Sequence, residues 1–537
     1  MTKTPSSQAR RAWLAVAMTT TLLAAAASAG AAPDDAAERA RGATGTTTPA
    51  VAAPVVTPQP PTPATTTTTA PTTTGTMGGS LMVEDGLQQL LDEALQANLE
   101  LRVSSLTVRQ RLAALDQARA RYLPAIDFAA RYTVADGGRT IDIPVGDLVN
   151  PVYETLEQLL AAQGTPTAFP RVQNQSIDLL RSPEQETKLV LAQPLYEPRL
   201  GPAVDANRAE VARAEADLAA LRSLVIRDVQ QAYYRWLAAQ QAVTVLDATL
   251  EAAQANLAAN ESLYRNGRIT RDLVYRAEAD VLEIEQERLG AASRVRIAAS
   301  YVNLLRNSRL DRPLPATVID DATIERFRAN LLRTLSGRTL DVTRLQQMAD
   351  ERRQELRSLD SAIEAGEAQK ALARAAFKPT LALGAEAGIQ GTEYGLADDD
   401  RYVLASLVLR WNAFRGGADR AALDEARALT EQLRTTRELA GQQVRLEVQQ
   451  ALERFEVAEA SLGTAVKRAQ AASGAFEITS RKRDLGQINQ AEFIDARRAY
   501  TDAQLNVTLV RAEYLARLAE LEYAVGQPRR SQQERLR

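Results

Sequence analysis

The sequence contains no cysteine and no histidine. Without cysteine there are no disulfides, no thiolate metal sites and no lipid-bearing residue behind a leader. Without histidine the commonest general base and the commonest metal ligand are both missing. Only scattered carboxylates remain for acid–base work, so no catalytic, cofactor-binding or metal residue is assigned. Aromatic residues make up 5% of the chain, and Gly and Pro are sparse at 27 and 22 in 537 residues. An aromatic-poor chain rich in Ala and in charge favours long, closely packed helices. Charge of one sign is not in excess either: 64 basic against 67 acidic residues leave −3, without the basic footprint of a nucleic-acid binder. Past the N-terminus no run of about 18 apolar residues occurs, so no transmembrane helix is expected.

What is there begins with a leader. Lys3, Arg10 and Arg11 precede an apolar run from Trp13 to Ala27, and Ala27-Ser28-Ala29 is a small-x-small cleavage site. This predicts a secretory signal peptide over 1–29. The flanks of Arg10-Arg11 match a twin-arginine signal poorly. Residues 30–80 are rich in Ala, Thr and Pro without apolar periodicity, so a disordered linker is expected, either a tether or a dispensable extension. An exported chain without an apolar helix is soluble or enters a membrane as a barrel.

From residue 81 the pattern is helical. Leu87 to Arg121 holds no Gly or Pro and spaces Leu91, Leu95, Leu99, Leu106 and Leu112 along one face. Pro124 stops it and the period becomes two: Ile126, Phe128, Ala130, Tyr132 and Val134 alternate with polar or small residues. A second strand is expected at 187–196. Between the strands lies a long insertion, 135–185, with a short helix around Val152–Ala162. Asn207 to Arg265 again lacks Gly and Pro. Its apolar stripe steps by about 3.5 residues, the coiled-coil period, and predicts roughly 90 Å of helix. Asn266-Gly267-Arg268 turns the chain into a returning helix that ends near Arg306, and 307–338 reads as irregular.

The same order then recurs. A helix from about Asp341 to Ala376 ends at Pro379. A strand through Leu381, Leu383, Ala385, Ala387 and Ile389 follows, and its partner carries Val403, Ala405, Leu407, Leu409 and Trp411. Gly416-Gly417 opens a second long helix, Gly486 breaks it, and a last helix reaches about Tyr523. Tyr122-Leu123-Pro124 matches Phe377-Lys378-Pro379, and Gly267-Arg268-Ile269-Thr270 matches Gly486-Gln487-Ile488-Asn489. The chain therefore divides into a first repeat at 81–306 (hairpin 124–196, long helices 207–306), a connection at 307–338, a second repeat at 339–525 (hairpin 379–412, long helices 416–524) and a tail at 526–537.

Two hairpins supply too few strands to close a barrel, and an open sheet edge is not tolerated in lipid. Closure must come from copies of the chain. Three copies would give twelve strands, an even number in the range of outer-membrane barrels. Tyr122, Phe377, Tyr196 and Trp411 at one end of the strands, with Tyr394 and Tyr402 near the other, suit interfacial girdles. The narrow Ala-rich helix stripes, charged elsewhere, suit a ring of helices with a wet interior. A soluble sheet packed on helices is the competing arrangement.

Taken in order and twice over, these motifs resemble the TolC-like outer-membrane efflux protein family across about 85–525. The resemblance implies a mainly α fold with β: a duplicated helix, β-hairpin and long-helix repeat that forms a homotrimer. In it a twelve-stranded β-barrel sits in outer-membrane lipid and an α-helical coiled-coil tunnel hangs into the periplasm. The segment 307–338 and the tail would wrap the tunnel's middle. The tips at Gly267, Arg268 and Ile269 and at Gly486, Gln487 and Ile488 would meet a periplasmic adaptor (membrane fusion) protein linked to an inner-membrane pump. Such channels often constrict the tip with acidic rings. The matching region offers Asp272, Glu492 and Asp495, with Arg481 and Arg483 available for ion pairs that hold a closed state. The bland alternative is solvated charge at helix ends. The expected function is a passive exit duct for small molecules. An exit channel for type I protein or peptide secretion and a pore-less periplasmic scaffold are the alternatives.

Overall fold

The computed structural model describes residues 82–179, 182–335, 340–392 and 400–527. The expected leader (1–29) and linker (30–80), Tyr394, and the tail beyond residue 527 lie outside them.

Helices α1 (Val83–Ala97) and α2 (Leu99–Ala120) lead into β1 (Ala125–Thr133). The insertion follows, with a two-stranded ribbon of β2 (Thr140–Ile143) and β3 (Gln175–Asp178) around α3 (Val145–Ala162). Next come β4 (Glu184–Tyr196), α4 (Leu200–Arg265) and α5 (Arg271–Leu305), then α6 (Asp321–Thr334). The order returns with α7 (Val342–Arg352), α8 (Gln354–Ala375), β5 (Thr380–Gly391), β6 (Arg401–Arg410), α9 (Ala418–Asp484) and α10 (Gln490–Ala524).

The main sheet is antiparallel in the order β1-β4-β5-β6. The helices keep that order: α2 packs on α4, α4 on α8, and α8 on α9. Toward the two glycine turns the order becomes α5, α4, α10, α9. The repeats thus form one ribbon, four elements wide from the sheet to the turns. α4 and α9, of 66 and 67 residues, run its whole helical length, roughly 100 Å. α4 starts before Asn207 because Pro202 falls in its first turn, where the missing N–H has no helical partner anyway.

The other two positions in the ribbon are each built from two helices set end to end. The periodic run from Leu87 to Arg121 is broken at Asn98, whose side chain accepts from the Leu101 N–H and donates 2.9 Å to the Leu305 carbonyl. The run from Asp341 is broken at Arg353, whose guanidinium donates 3.3 Å to the Ala524 carbonyl. Asn98 and Arg353 occupy matching places in the two repeats. Each joins the start of an upper helix to the last carbonyls of a lower one, α2 to α5 and α8 to α10. At each joint a helix C-terminus meets a helix N-terminus, a favourable alignment of dipoles.

The principal core lies at the level of these joints. α1, the segment after α5, and α6 pack on one face of the ribbon. Leu87, Leu90 and Leu91 of α1 and Phe327 and Leu331 of α6 are buried with Tyr233, Tyr234, Leu237, Tyr514 and Leu515. The Tyr233 hydroxyl donates to the Pro315 carbonyl at 2.9 Å, and Arg306 donates to Glu93 at 2.8 Å. The expected irregular segment 307–338 therefore contains a helix: Asp320 caps it through the Thr323 N–H, and Ile324, Phe327 and Leu331 form its buried face. Below this level the core breaks into small clusters in which alanines face short aliphatic side chains. Ala253 meets Val281 and Ile284, and Ala465 and Ala469 meet Ala503 and Val507.

The two turns are built alike. Gly267 and Gly486 both have φ +68°, which a side chain would strain. The Gly267 N–H donates to Tyr264 and the Arg268 N–H to Leu263, and the Gly486 N–H to Arg483 and the Gln487 N–H to Lys482, at 2.8 to 2.9 Å. Each is a helix C-cap whose glycine closes the last carbonyls.

Candidate functional site: the channel lining and the tunnel tip

The register of the sheet decides which side chains share a face. Ile126 lies opposite Leu191 and Phe128 opposite Leu189. Leu191 lies opposite Ala385 and Leu189 opposite Ala387. Leu381, Leu383 and Ala387 lie opposite Leu409, Leu407 and Val403. Directly paired residues point to the same side, so one side of all four strands is a continuous apolar band. Ile126, Phe128, Leu189, Val403, Leu407 and Leu409 are exposed on it.

The other side carries a charge network that no single strand reveals. Arg131 of β1 pairs with Glu186 of β4 at 3.0 Å. Lys188 bridges Glu186 at 3.0 Å and Glu386 of β5 at 3.3 Å. The Tyr402 hydroxyl of β6 reaches Glu186 at 3.4 Å. All four strands are thus linked on their polar side by charge-assisted contacts. Tyr402 is corrected by this: it faces the polar network and not the apolar band, so it is not part of an interfacial girdle. Tyr122, Phe377, Tyr196 and Trp411 are exposed at the helix-proximal strand ends. The Trp411 indole donates 3.1 Å to the Phe377 carbonyl.

At the other end, Gly267, Arg268, Gly486 and Gln487 are exposed, and Ile269 and Ile488 are half-buried. Asn489 caps α10 through the Glu492 N–H at 2.8 Å, which leaves the Glu492 carboxylate free to point outward. Asp272, Glu492 and Asp495 are exposed. Arg481 and Arg483 make local pairs, with Glu477 and with Asp484. Arg483 also lies 4.1 Å over the Phe493 ring. Within one chain neither arginine meets Asp272, Glu492 or Asp495.

A tie between the two repeats above the tip is one that sequence reading missed. Arg497 of α10 donates to Asp280 of α5 at 2.6 Å, with both side chains buried. Next to it, Arg498 pairs with Glu283. Thr249 of α4 and Thr501 of α10 share a hydrogen bond at 3.2 Å. Burial pushes the Asp280 carboxyl above its ordinary value, against the pull of Arg497 and Arg498. Among the described residues no carboxylate cluster is arranged to hold a metal ion, and no helix is long and apolar enough to cross a membrane.

A ribbon that ends in strands with one apolar and one charged side, and continues as long helices, is a wall segment of a membrane channel with a helical extension. The chain belongs to the outer membrane efflux protein family, whose match covers residues 167–305 and 345–527, in both repeats. It is an outer-membrane protein with a periplasmic helical tunnel segment, in a family of channels and not of enzymes. Its fold is that of solved outer-membrane channels. The CmeC channel of Campylobacter jejuni aligns with a TM-score of 0.65 at 15% identity, over 87% of this chain and 93% of that one. The MtrE channel of Neisseria gonorrhoeae, in its open state, aligns at 0.63 and 18% identity, over 83% and 90%. VceC of Vibrio cholerae aligns at 0.62 and 17% identity, over 82% and 96%. A search of curated protein sequences returns no significant match.

Proposed function

We propose that three copies close edge to edge into a twelve-stranded barrel and a continuous tunnel, the outer-membrane exit duct of a tripartite efflux system for small molecules. The observation that carries this reading is the ribbon with two unlike faces and two open edges. β1 and β6 each have one unpaired side, which lipid does not tolerate. The helices beneath them carry matching stripes: Leu282, Leu289, Ile297 and Leu304 are exposed on α5, and Leu439, Leu446 and Val457 on α9. Closure would cover these stripes, turn the apolar band to lipid and turn the charge network inward.

The tips at Gly267 to Ile269 and Gly486 to Ile488 are the surface we assign to a periplasmic adaptor, which would couple the duct to an inner-membrane pump. Asp272, Glu492 and Asp495 would ring the mouth in the closed trimer. There Arg481 and Arg483 would be shared between neighbouring copies, since within one chain they pair only locally.

Reconstitution in planar bilayers tests the channel, and mass measurement in detergent tests the trimer. The reading expects discrete conductance from a trimeric particle. A folded, stable monomer without conductance would sink it and favour the scaffold.

A further inference from the structure

On the ribbon face opposite α1 and α6, a groove of about 730 Å³ runs between α4, α5 and α10. Its volume is that of sites for drug-sized ligands. Alanines make its floor, among them Ala239, Ala242 and Ala298, and Leu505 and Leu509 give it an apolar wall. The position of the groove follows from helix geometry. On α10, Leu505, Leu509 and Ala516 project from the side away from Tyr514, which lies in the core with α6, and Arg511, which donates to Asp321 at the start of α6. On α4, Ala239 and Ala242 lie away from Tyr233.

Charge in the groove is one-sided. Arg235 of α4 and Arg294 of α5 line it, both exposed, and neither forms an ion pair among the described residues. The acidic residue there, Glu513, is already engaged by Arg517 at 2.6 Å. An apolar trough with two uncommitted guanidiniums complements a molecule with an apolar body and an anionic head.

We propose that this groove is a binding site for small amphipathic anions, aromatic or aliphatic sulfonates and carboxylates. It rests on the channel reading for its meaning: the groove lies on a face and not an edge, so closure leaves it open to the tunnel interior. There it is a resting place for one class of cargo on its way out. The site itself is formed within one chain.

The test uses the full-length protein in lipid nanodiscs and equilibrium dialysis with naphthalenesulfonate as the probe. Saturable binding is expected, weakened about tenfold or more by Arg235→Gln with Arg294→Gln, as loss of charge-assisted hydrogen bonds implies. Ala242→Trp, which fills the trough and leaves both arginines, should weaken it comparably. Naphthylmethanol, the neutral counterpart, should bind at least about tenfold more weakly than the sulfonate. Binding that survives both variants, or that fails to distinguish sulfonate from alcohol, overturns the proposal. Conductance of the same preparations separates the two readings. A conducting trimer without selective binding refutes the groove alone. Selective binding to a particle that does not conduct refutes the channel and keeps the site.

Discussion

Arg497 reaches Asp280 across 217 residues of sequence, and the two side chains are only 4% and 3% exposed. Through this contact the second repeat grips the first toward the glycine turns, where α9 and α10 are also joined by the Phe476, Phe493 and Tyr500 rings. A buried ion pair adds little net stability when compared with an apolar pair, but removing one partner leaves a bare buried charge.

Arg497→Ala should therefore destabilise the lower helices by about 3–5 kcal/mol. Replacing both partners, Arg497→Met with Asp280→Leu, should recover most of that loss. Chemical denaturation of the purified protein, followed by circular dichroism, measures both. A double variant no more stable than Arg497→Ala would mean that the pair is not an isolated tie.

Two ion-paired carboxylates, half-buried Glu93 and buried Asp280, should respond to pH in opposite senses. Burial disfavours the ionised form of Glu93. The Gln89 amide and the charges of Arg306 and Arg312 outweigh that and hold its carboxyl below 4.5. Its contribution is thus present above 4.5 and lost as pH falls through the lowered value. Asp280 is raised above 3.8, so its protonated form is favoured in the fold. Its contribution is largest below 3.8 and declines as pH rises through the raised value. Melting temperature against pH for wild type, Glu93→Gln and Asp280→Asn checks this. The wild-type advantage over Glu93→Gln should shrink on acidification, and that over Asp280→Asn should shrink as pH rises.

Glu492→Ala with Asp495→Ala should raise resting conductance and weaken cation preference. The change spares the helix start, because Asn489 caps through the backbone of residue 492. Planar-bilayer recording decides the matter, and unchanged conductance and selectivity would remove both residues from the mouth.

Lys188→Met takes the shared cation from between Glu186 and Glu386. If that face lines the conducting path, the lining becomes more negative and the channel more cation-preferring, by electrostatic focusing in a confined lumen. Reversal potentials in a salt gradient measure it. An unaltered reversal potential would place the network away from the ion path.

Much of this architecture can be read from residues alone, for identifiable reasons. The tips are legible because only glycine takes φ +68° without strain, and the strands because alternation has a fixed period of two. The phase of that alternation already puts Tyr402 opposite Val403, so its polar-side position was available before the structure. α6 was legible as well, from the three- and four-residue steps of Ile324, Phe327 and Leu331 behind an Asp cap. The joints at Asn98 and Arg353 were not. Neither is a glycine or a proline, and helical periodicity continues through both. What breaks the helix there is a bond to a carbonyl more than a hundred residues away in sequence. The pairing of Arg497 with Asp280 is likewise a fact of packing, invisible to local pattern.

Those joints give the wall a mechanical character. Of the four staves in each ribbon, α4 and α9 are single timbers, and the other two are butt-jointed at one level. α1 and α6 are the hoop laid over that level. A load at the tips, such as a docking partner levering them apart, meets stiff members that can only bend and jointed members that can pivot. The pivot lies where α1 and α6 bind the wall from one side. Motion at the mouth should therefore stop at the hoop, and the strands beyond it should stay still while the tips move.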